Sequence, residues 1–262
     1  MCLILFAWRA HPRYPLIVAA NRDEFHERPT APAAFWPDAP DMLAGRDLRG
    51  GGTWLGITKG GRFAALTNFR EPGPGARSGP RPSRGELVTD YLLGDAPPGE
   101  HAQRLADKGA RYDGFNLLLG TPGELYCVSN RAEGVVEVGP GVHALSNHLL
   151  DTDWPKARHG RAALERLCEP SKTPAPEDLL GILDHREPVG GEEPEGWEAG
   201  LVPELVTRLV FIASDHYGTR CSTALLIDSG GHVAFAEKSF GPAGASGETR
   251  REAFTLTGGR SA

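Results

Sequence analysis

The apolar runs of this chain are continuous rather than alternating. Cys2 to Trp8 is apolar at every position, His11-Pro12-Arg13-Tyr14-Pro15 forms a turn, and Leu16 to Ala20 is apolar again. The pattern predicts a hairpin of two strands. Alternation would give one dry face and one wet face; an unbroken run requires cover on both. Phe115 to Leu119 and Ala224 to Ile227 read the same way. Short strands covered on both sides predict stacked sheets with helices outside.

Other segments fill in this frame. Pro29 to Gly52 is rich in Pro, Gly and Asp and reads as loop. Thr53 to Ile57 and Arg62 to Phe69 read as a hairpin about Lys59-Gly60-Gly61. Ser83-Arg84-Gly85-Glu86 has capping-box spacing and opens a helix through Leu93, and a second helix follows over Glu100 to Lys108. Strand signals return at Phe115–Leu119, Leu125–Ser129 and Val135–Val138, followed by the segment Val142 to Asn147. Asp153 and Pro155 start a helix that runs to Cys168, with its apolar spacing at Ala162, Ala163 and Leu167. A further helix covers Glu177 to Asp184, and strands Ser222–Ile227 and Val233–Glu237 close the pattern. No repeat or linker divides the chain. The expectation is a single domain over 1–262, with surface loops at 71–82 and 187–200 and a frayed tail over 241–262.

Composition narrows the function classes. A chain of 262 residues with 40% hydrophobic content can bury a sizeable core. The net charge is -6 and the 28 cations are scattered, which speaks against nucleic acid as a partner. No run approaches the ~20 apolar residues of a membrane span. The N-terminus is apolar from the start, without a basic leader or small-residue cleavage site, so no secretory signal is expected. Cys2, Cys127, Cys168 and Cys221 form no C-x-x-C pair, and reduced thiols in a cytoplasmic protein are the simpler expectation. The nine histidines show no ligand spacing, so no metal site is expected. Gly50-Gly51-Gly52 is followed by no Gly-Lys-Ser/Thr and reads as a tight turn beside Trp54 rather than a phosphate loop.

Cys2 is the position richest in chemistry. Removal of Met1 would leave a thiol and a free α-amine on one residue. An α-amine ordinarily titrates at ~7.7–8.0 and can act as a base at neutral pH. A thiolate is a strong nucleophile. The competing reading is a small apolar residue that starts a buried strand. Asn21-Arg22-Asp23-Glu24 follows the second strand, across the hairpin from Cys2. An extended backbone there would turn Asn21 and Asp23 one way and Arg22 and Glu24 the other. Asn68 and Asn147 each end a strand, where a carboxamide can donate to a developing oxyanion or close a turn.

Together these motifs resemble the NRDE family, also called the transport and Golgi organisation protein 2 family. The resemblance is carried by Cys2, Asn-Arg-Asp-Glu at 21–24 and Thr67-Asn68-Phe69-Arg70. It extends through Gly50 to Gly56, Ser83-Arg84-Gly85, Gly114 to Leu117, Leu145-Ser146-Asn147 and Tyr217-Gly218-Thr219-Arg220, nearly the whole chain. That family is in turn similar to N-terminal-nucleophile hydrolases of the cholylglycine hydrolase and penicillin acylase group. The resemblance implies an α+β fold, a four-layer αββα sandwich. It implies Cys2 as nucleophile, Asp23 supporting the amine, and Asn68 and Asn147 serving amine and oxyanion. The hydrolases' Arg shortly before the Asp is missing, for Ala20 stands at that offset. Arg22 is adjacent to Asp23 instead, and Arg220 is a possible second cation; either, with Asn21, could bind an acidic group of a small-molecule substrate. Two functions follow. One is a cysteine-dependent hydrolase of a non-peptide amide or related acyl bond, with no cofactor required. The other is a binding or carrier protein for haem, acyl-CoA or a lipid-like ligand.

Overall fold

The structure is a computed structural model and describes residues 2–70, 81–192 and 204–257. The chain opens with β1 (Cys2–Trp8), β2 (Leu16–Phe25), β3 (Thr30–Trp36), β4 (Ala39–Asp47), β5 (Leu55–Thr58) and β6 (Phe63–Asn68). Two helices follow, α1 (Gly85–Leu93) and α2 (Pro98–Lys108), then β7 (Phe115–Thr121), β8 (Glu124–Ser129), β9 (Val135–Glu137) and β10 (Gly141–Leu145). Next come α3 (Pro155–Leu167) and α4 (Pro176–Leu183), and the chain closes with β11 (Tyr217–Ile227), β12 (His232–Phe240) and β13 (Ser246–Thr255).

The strands form two antiparallel sheets. One has the order β10-β1-β2-β11-β12-β13, the other β3-β4-β5-β6-β7-β8-β9. The continuous apolar runs are explained by where each neighbour points. Phe6, Trp8, Val18 and Leu225 meet Ile57, Phe63 and Leu118 between the sheets. Leu3, Leu5, Ile17 and Leu226 face the other way, onto Trp154, Leu164, Leu179 and Leu183 of the α3–α4 layer. Leu117 and Leu119, on either side of Leu118, pack on Leu87, Tyr91 and Leu105 of the α1–α2 layer. The order of layers is therefore α, β, β, α. Among the described residues no helix is long and apolar enough to cross a membrane.

Three expectations are corrected. Pro29 to Gly52 is not all loop, for it holds β3 and β4. β3 is a sheet-edge strand, where Pro32 removes no needed ladder donor. The tail over 241–262 is not frayed across 246–255, which pairs with β12 from Ser246↔Phe240 to Thr255↔His232. β13 is polar and exposed along its length, so it carries no hydrophobic signal; backbone pairing and Phe254 against Phe35, with ring centroids 5.6 Å apart, hold it. The capping box ahead of α1 does not form, because Arg84 is already helical and Ser83 accepts from Glu86 N–H only through its carbonyl. Of the expected surface loops, 81–82 and 187–192 are irregular, and most of the remainder lies outside the described residues.

The glycine run at 50–52 docks the β4–β5 connection against α1. Gly51 has φ of 77°, and a Cβ on Gly52 would lie 2.4 Å from the Gly85 carbonyl carbon. Backbone cannot move aside as a side-chain tip can. Gly52→Ala should therefore cost about 1–3 kcal/mol of stability, read as a lower urea midpoint. Gly60→Ala, where a Cβ would meet nothing nearer than Thr58 Oγ1 at 3.6 Å, should stay within about 0.5 kcal/mol of the parent.

Candidate active site

Pairing in the first sheet fixes the site. Cys2 lies directly opposite Arg22, and Arg22 lies opposite Cys221 on its other side. Side chains alternate along a strand, so Cys2 shares the inter-sheet face with Ile4 and Phe6, and Arg22 shares it with Ala20 and Val18. β2 stays extended through the Asn-Arg-Asp-Glu segment, so Asn21 and Asp23 take the helix-covered face. A bulge at Arg220 sets Thr219 opposite Asp23 and Cys221 opposite Arg22. β11 thereby serves both faces within three residues.

A cavity of about 390 Å³ opens at the rim of the inter-sheet space. It is bordered by Cys2, Arg22, Asp23 and Asn68, four of the residues singled out from the sequence. Asp23 is 4% exposed, and its Oδ1 accepts from the Thr219 hydroxyl at 2.7 Å. Burial pushes its carboxyl above the usual carboxylate range, against the pull of Lys156, Thr219 and Arg22. The Arg22 guanidinium lies over the Trp54 ring, 4.3 Å from its centroid, and donates to Thr30 Oγ1 at 3.3 Å. Cys2 is 9% exposed, and its carbonyl accepts from Ser146 Oγ at 2.7 Å.

The other three predicted residues do not border the cavity. Asn21 is committed to structure. Its amide donates to the carbonyls of Leu183 and Val210, and its Oδ1 accepts from Ser222 Oγ at 2.6 Å. Asn147 sits behind Asn68 and donates to the Asn68 carbonyl at 2.9 Å, while its own carbonyl accepts from Arg70 N–H at 2.8 Å. It staples the end of β6 to the end of β10. Arg220 donates to the carbonyls of Phe25 and Arg28, and so holds the turn after β2. Asn21 and Arg220 are thus not brought to the cavity: backbone carbonyls need partners, at Leu183 and Val210 for Asn21 and after β2 for Arg220, and these side chains supply them.

The cavity rim is built from charge. Arg28 bonds Asp47 at 2.7 Å, and Arg81 bonds Asp113 at 3.4 Å. Asp47 also accepts from the N–H groups of Arg49 and Gly50. Burial alone would raise its carboxyl, but Arg28 and these N–H groups hold it below the usual range. Among the described residues no cluster of three His, Cys, Asp or Glu could hold a metal.

Sequence reasoning missed Lys156. It is 0% exposed, and its Nζ has no hydrogen-bond partner among the described residues. The buried face of α3 is Lys156, Ala157, Gly160 and Leu164, rather than the expected Ala162, Ala163 and Leu167. A Cβ on Gly160 would lie 2.5 Å from Leu5 Cδ1, so α3 crosses β1 there. Lys156, one turn earlier on the same face, lies toward the start of β1 and the Asp23 carboxylate. Burial draws its ammonium down to about 8, with Asp23 and Cys2 resisting. The available signal was a lysine four residues before Gly160 and eight before Leu164, on one helical stripe.

Comparison with known proteins follows the same lines. The Transport and Golgi organisation 2 family profile matches residues 1–242. The mouse protein "Transport and Golgi organization 2 homolog" is 36% identical over 264 residues, covering 91% of this chain and 93% of its own length. The human homolog is 36% identical over 280 residues, covering 98% and 99%. The Drosophila melanogaster protein of that name is 30% identical, covering 91% and 92%. Among solved structures, penicillin V acylase from Agrobacterium tumefaciens superposes with a TM-score of 0.52 at 13% identity, covering 98% of this chain and 86% of its own. The Caenorhabditis elegans ortholog of N-acylethanolamine-hydrolyzing acid amidase gives 0.50 at 9% identity, covering 86% and 92%. At these identities the likeness establishes a shared fold.

The burial of Lys156 gives a measurable pH dependence. Its folded value of about 8 lies below its ordinary 10.5, so between these the unfolded chain binds more protons and stability rises with pH. Lys156→Met lacks this rise. Its stability relative to the parent should therefore fall by about 3 kcal/mol between pH 7.5 and pH 10.5, measured by urea unfolding. A difference that stays flat across that window would contradict the assignment.

Proposed function

The chain belongs to the Transport and Golgi organisation 2 family, and we propose that it acts as a cysteine-dependent hydrolase of the N-terminal-nucleophile type. The substrate would carry a non-peptide amide or a related acyl bond. The observation that supports this most is that Cys2, at the very start of β1, borders one cavity with Arg22, Asp23 and Asn68. The shared fold with two amide-cleaving enzymes is consistent with it.

In the proposed mechanism, removal of Met1 frees the α-amine of Cys2. The amine takes the thiol proton and the sulfur attacks the substrate carbonyl. The Asn68 carboxamide and a backbone N–H hold the negative oxygen of the tetrahedral intermediate. The ammonium then protonates the leaving nitrogen, and a thioester remains on Cys2. Water, deprotonated by the same amine, releases the acid. Asp23 orients the ammonium, and Asn147 acts as a positioning residue through its bond to Asn68. Arg22 would meet an acidic group of the substrate. A carrier role for haem, acyl-CoA or a lipid-like ligand is served less well, because Trp54, Leu66 and Pro82 supply most of the apolar lining. A cytoplasmic location forms part of the proposal and is supported by four free cysteines.

The test is intact mass followed by labelling with a thiol-directed acyl electrophile. The expected result is loss of Met1 and a single label that disappears in Cys2→Ala. Burial raises the other thiols, Cys127 to about 12, Cys168 to about 11 and Cys221 well above its ordinary value, so they should stay unlabelled. A folded protein that retains Met1, or a label that persists in Cys2→Ala, would refute the mechanism.

A further inference from the structure

The charges around the cavity do not balance, and the imbalance bears on what the cavity takes. Five arginines border it, Arg22, Arg28, Arg49, Arg81 and Arg84, beside four carboxylates, Asp23, Glu24, Asp47 and Asp113. Most of the carboxylates are already engaged. Asp47 and Glu24 attend Arg28, Asp113 attends Arg81, and Asp23 is turned to the helix-covered face, where it accepts from the Thr219 hydroxyl. Arg22, Arg49 and Arg84 are left without a carboxylate in ion-pair range among the described residues. This local excess of positive charge sits in a chain whose net charge is -6.

Two of the three are not solvated surface groups. Arg22 is 6% exposed, and it rests on the Thr30 hydroxyl and the face of Trp54. Arg84 is half-buried and donates to the Gly114 carbonyl at 2.9 Å; burial draws its guanidinium below its ordinary value. A guanidinium carries five N–H donors in a fork that matches a carboxylate or phosphate. Each of these two spends one donor on a neutral oxygen. A partly buried guanidinium without a counter-charge is poorly compensated, and an anionic ligand would compensate it.

Position narrows the class. Arg22 is the direct cross-strand neighbour of Cys2, so their Cα atoms are about 5 Å apart. Arg84 reaches the same cavity from the other side, at the start of α1, the helix that covers the second sheet. An anion between them lies next to the carbonyl that Cys2 would attack. The geometry points to a small acyl compound with a carboxylate or phosphate within a few bonds of the scissile carbonyl, clamped by Arg22 and Arg84. This inference rests on the hydrolase reading for the word scissile; the anion clamp itself does not need the thiol.

The test uses the full chain and two readouts. Protection of Cys2 from iodoacetamide is compared for N-acetylglycine, acetyl phosphate's stable analogue acetonylphosphonate, and the neutral N-acetylglycinamide. The expected result is that one or both anions slow alkylation, with at least tenfold weaker effect in Arg84→Gln and partial recovery in Arg84→Lys, while the neutral amide does little. The stronger of the two anions then tells carboxylate from phosphate chemistry. Equal protection by the neutral amide, or none by either anion, would overturn the inference, and this comparison needs no variant to fold. The second readout is calorimetric binding of the same anions to Cys2→Ala. Binding there with no labelling of the parent protein would sink the hydrolase reading and leave the clamp standing; labelling without anion binding would do the reverse.

Discussion

The placement of Cys2 inside a sheet rather than on a loop governs the rest of the site. β1 is paired with β2 from Cys2 onward and with β10 from Ile4 onward, and the Ser146 hydroxyl donates to the Cys2 carbonyl, so the backbone that carries the thiol is held from both directions. A strand shifted by one residue exchanges its faces. Here such a shift of β1 would turn Cys2 toward the helices, and one of β2 would turn Asp23 between the sheets. The apolar residues that follow prevent it. Leu5 fits the helix side and Phe6 the inter-sheet side, both fully buried, so the register has little freedom.

The same register separates two kinds of electrostatics. On the inter-sheet side, Arg22 reaches the cavity with Trp54 beneath it. On the helix side, Asp23 and Lys156 are both buried and neither charge is comfortable: burial raises the carboxyl and lowers the ammonium. Opposite charges buried in one layer contribute little net stability, because desolvation offsets attraction. Their effect is to fix a local field at the start of β1, where an α-amine of Cys2 would lie.

Much of the sandwich was legible because it rests on hydrophobic burial, which leaves a local trace. The runs at Cys2–Trp8 and Phe115–Leu119 announced strands covered on both faces, and the structure supplies both covers. The elements that escaped notice lie at sheet edges. β3 and β13 bury few side chains and are held by backbone pairing, which any sequence can make. The site was legible in part for a related reason. Cys2, Arg22, Asp23 and Asn68 stand on central strands whose alternation can be counted. Asn21 and Arg220 could not be assigned that way, since their amide and guanidinium bind carbonyls brought close only by the fold. Lys156 escaped because a lysine in the first turn of a helix ordinarily faces water.

The bulge at Arg220 acts as a phase shifter in β11. Before it, Thr219 belongs to the helix layer and holds Asp23; after it, Cys221 belongs to the inter-sheet core beside Arg22. Lengthening or shortening the strand by a single residue at this spot would throw the two halves out of step, aiming either the hydroxyl or the whole apolar stripe from Thr223 to Ile227 at the wrong layer. Point changes are absorbed locally, whereas insertions and deletions here act on the entire sheet.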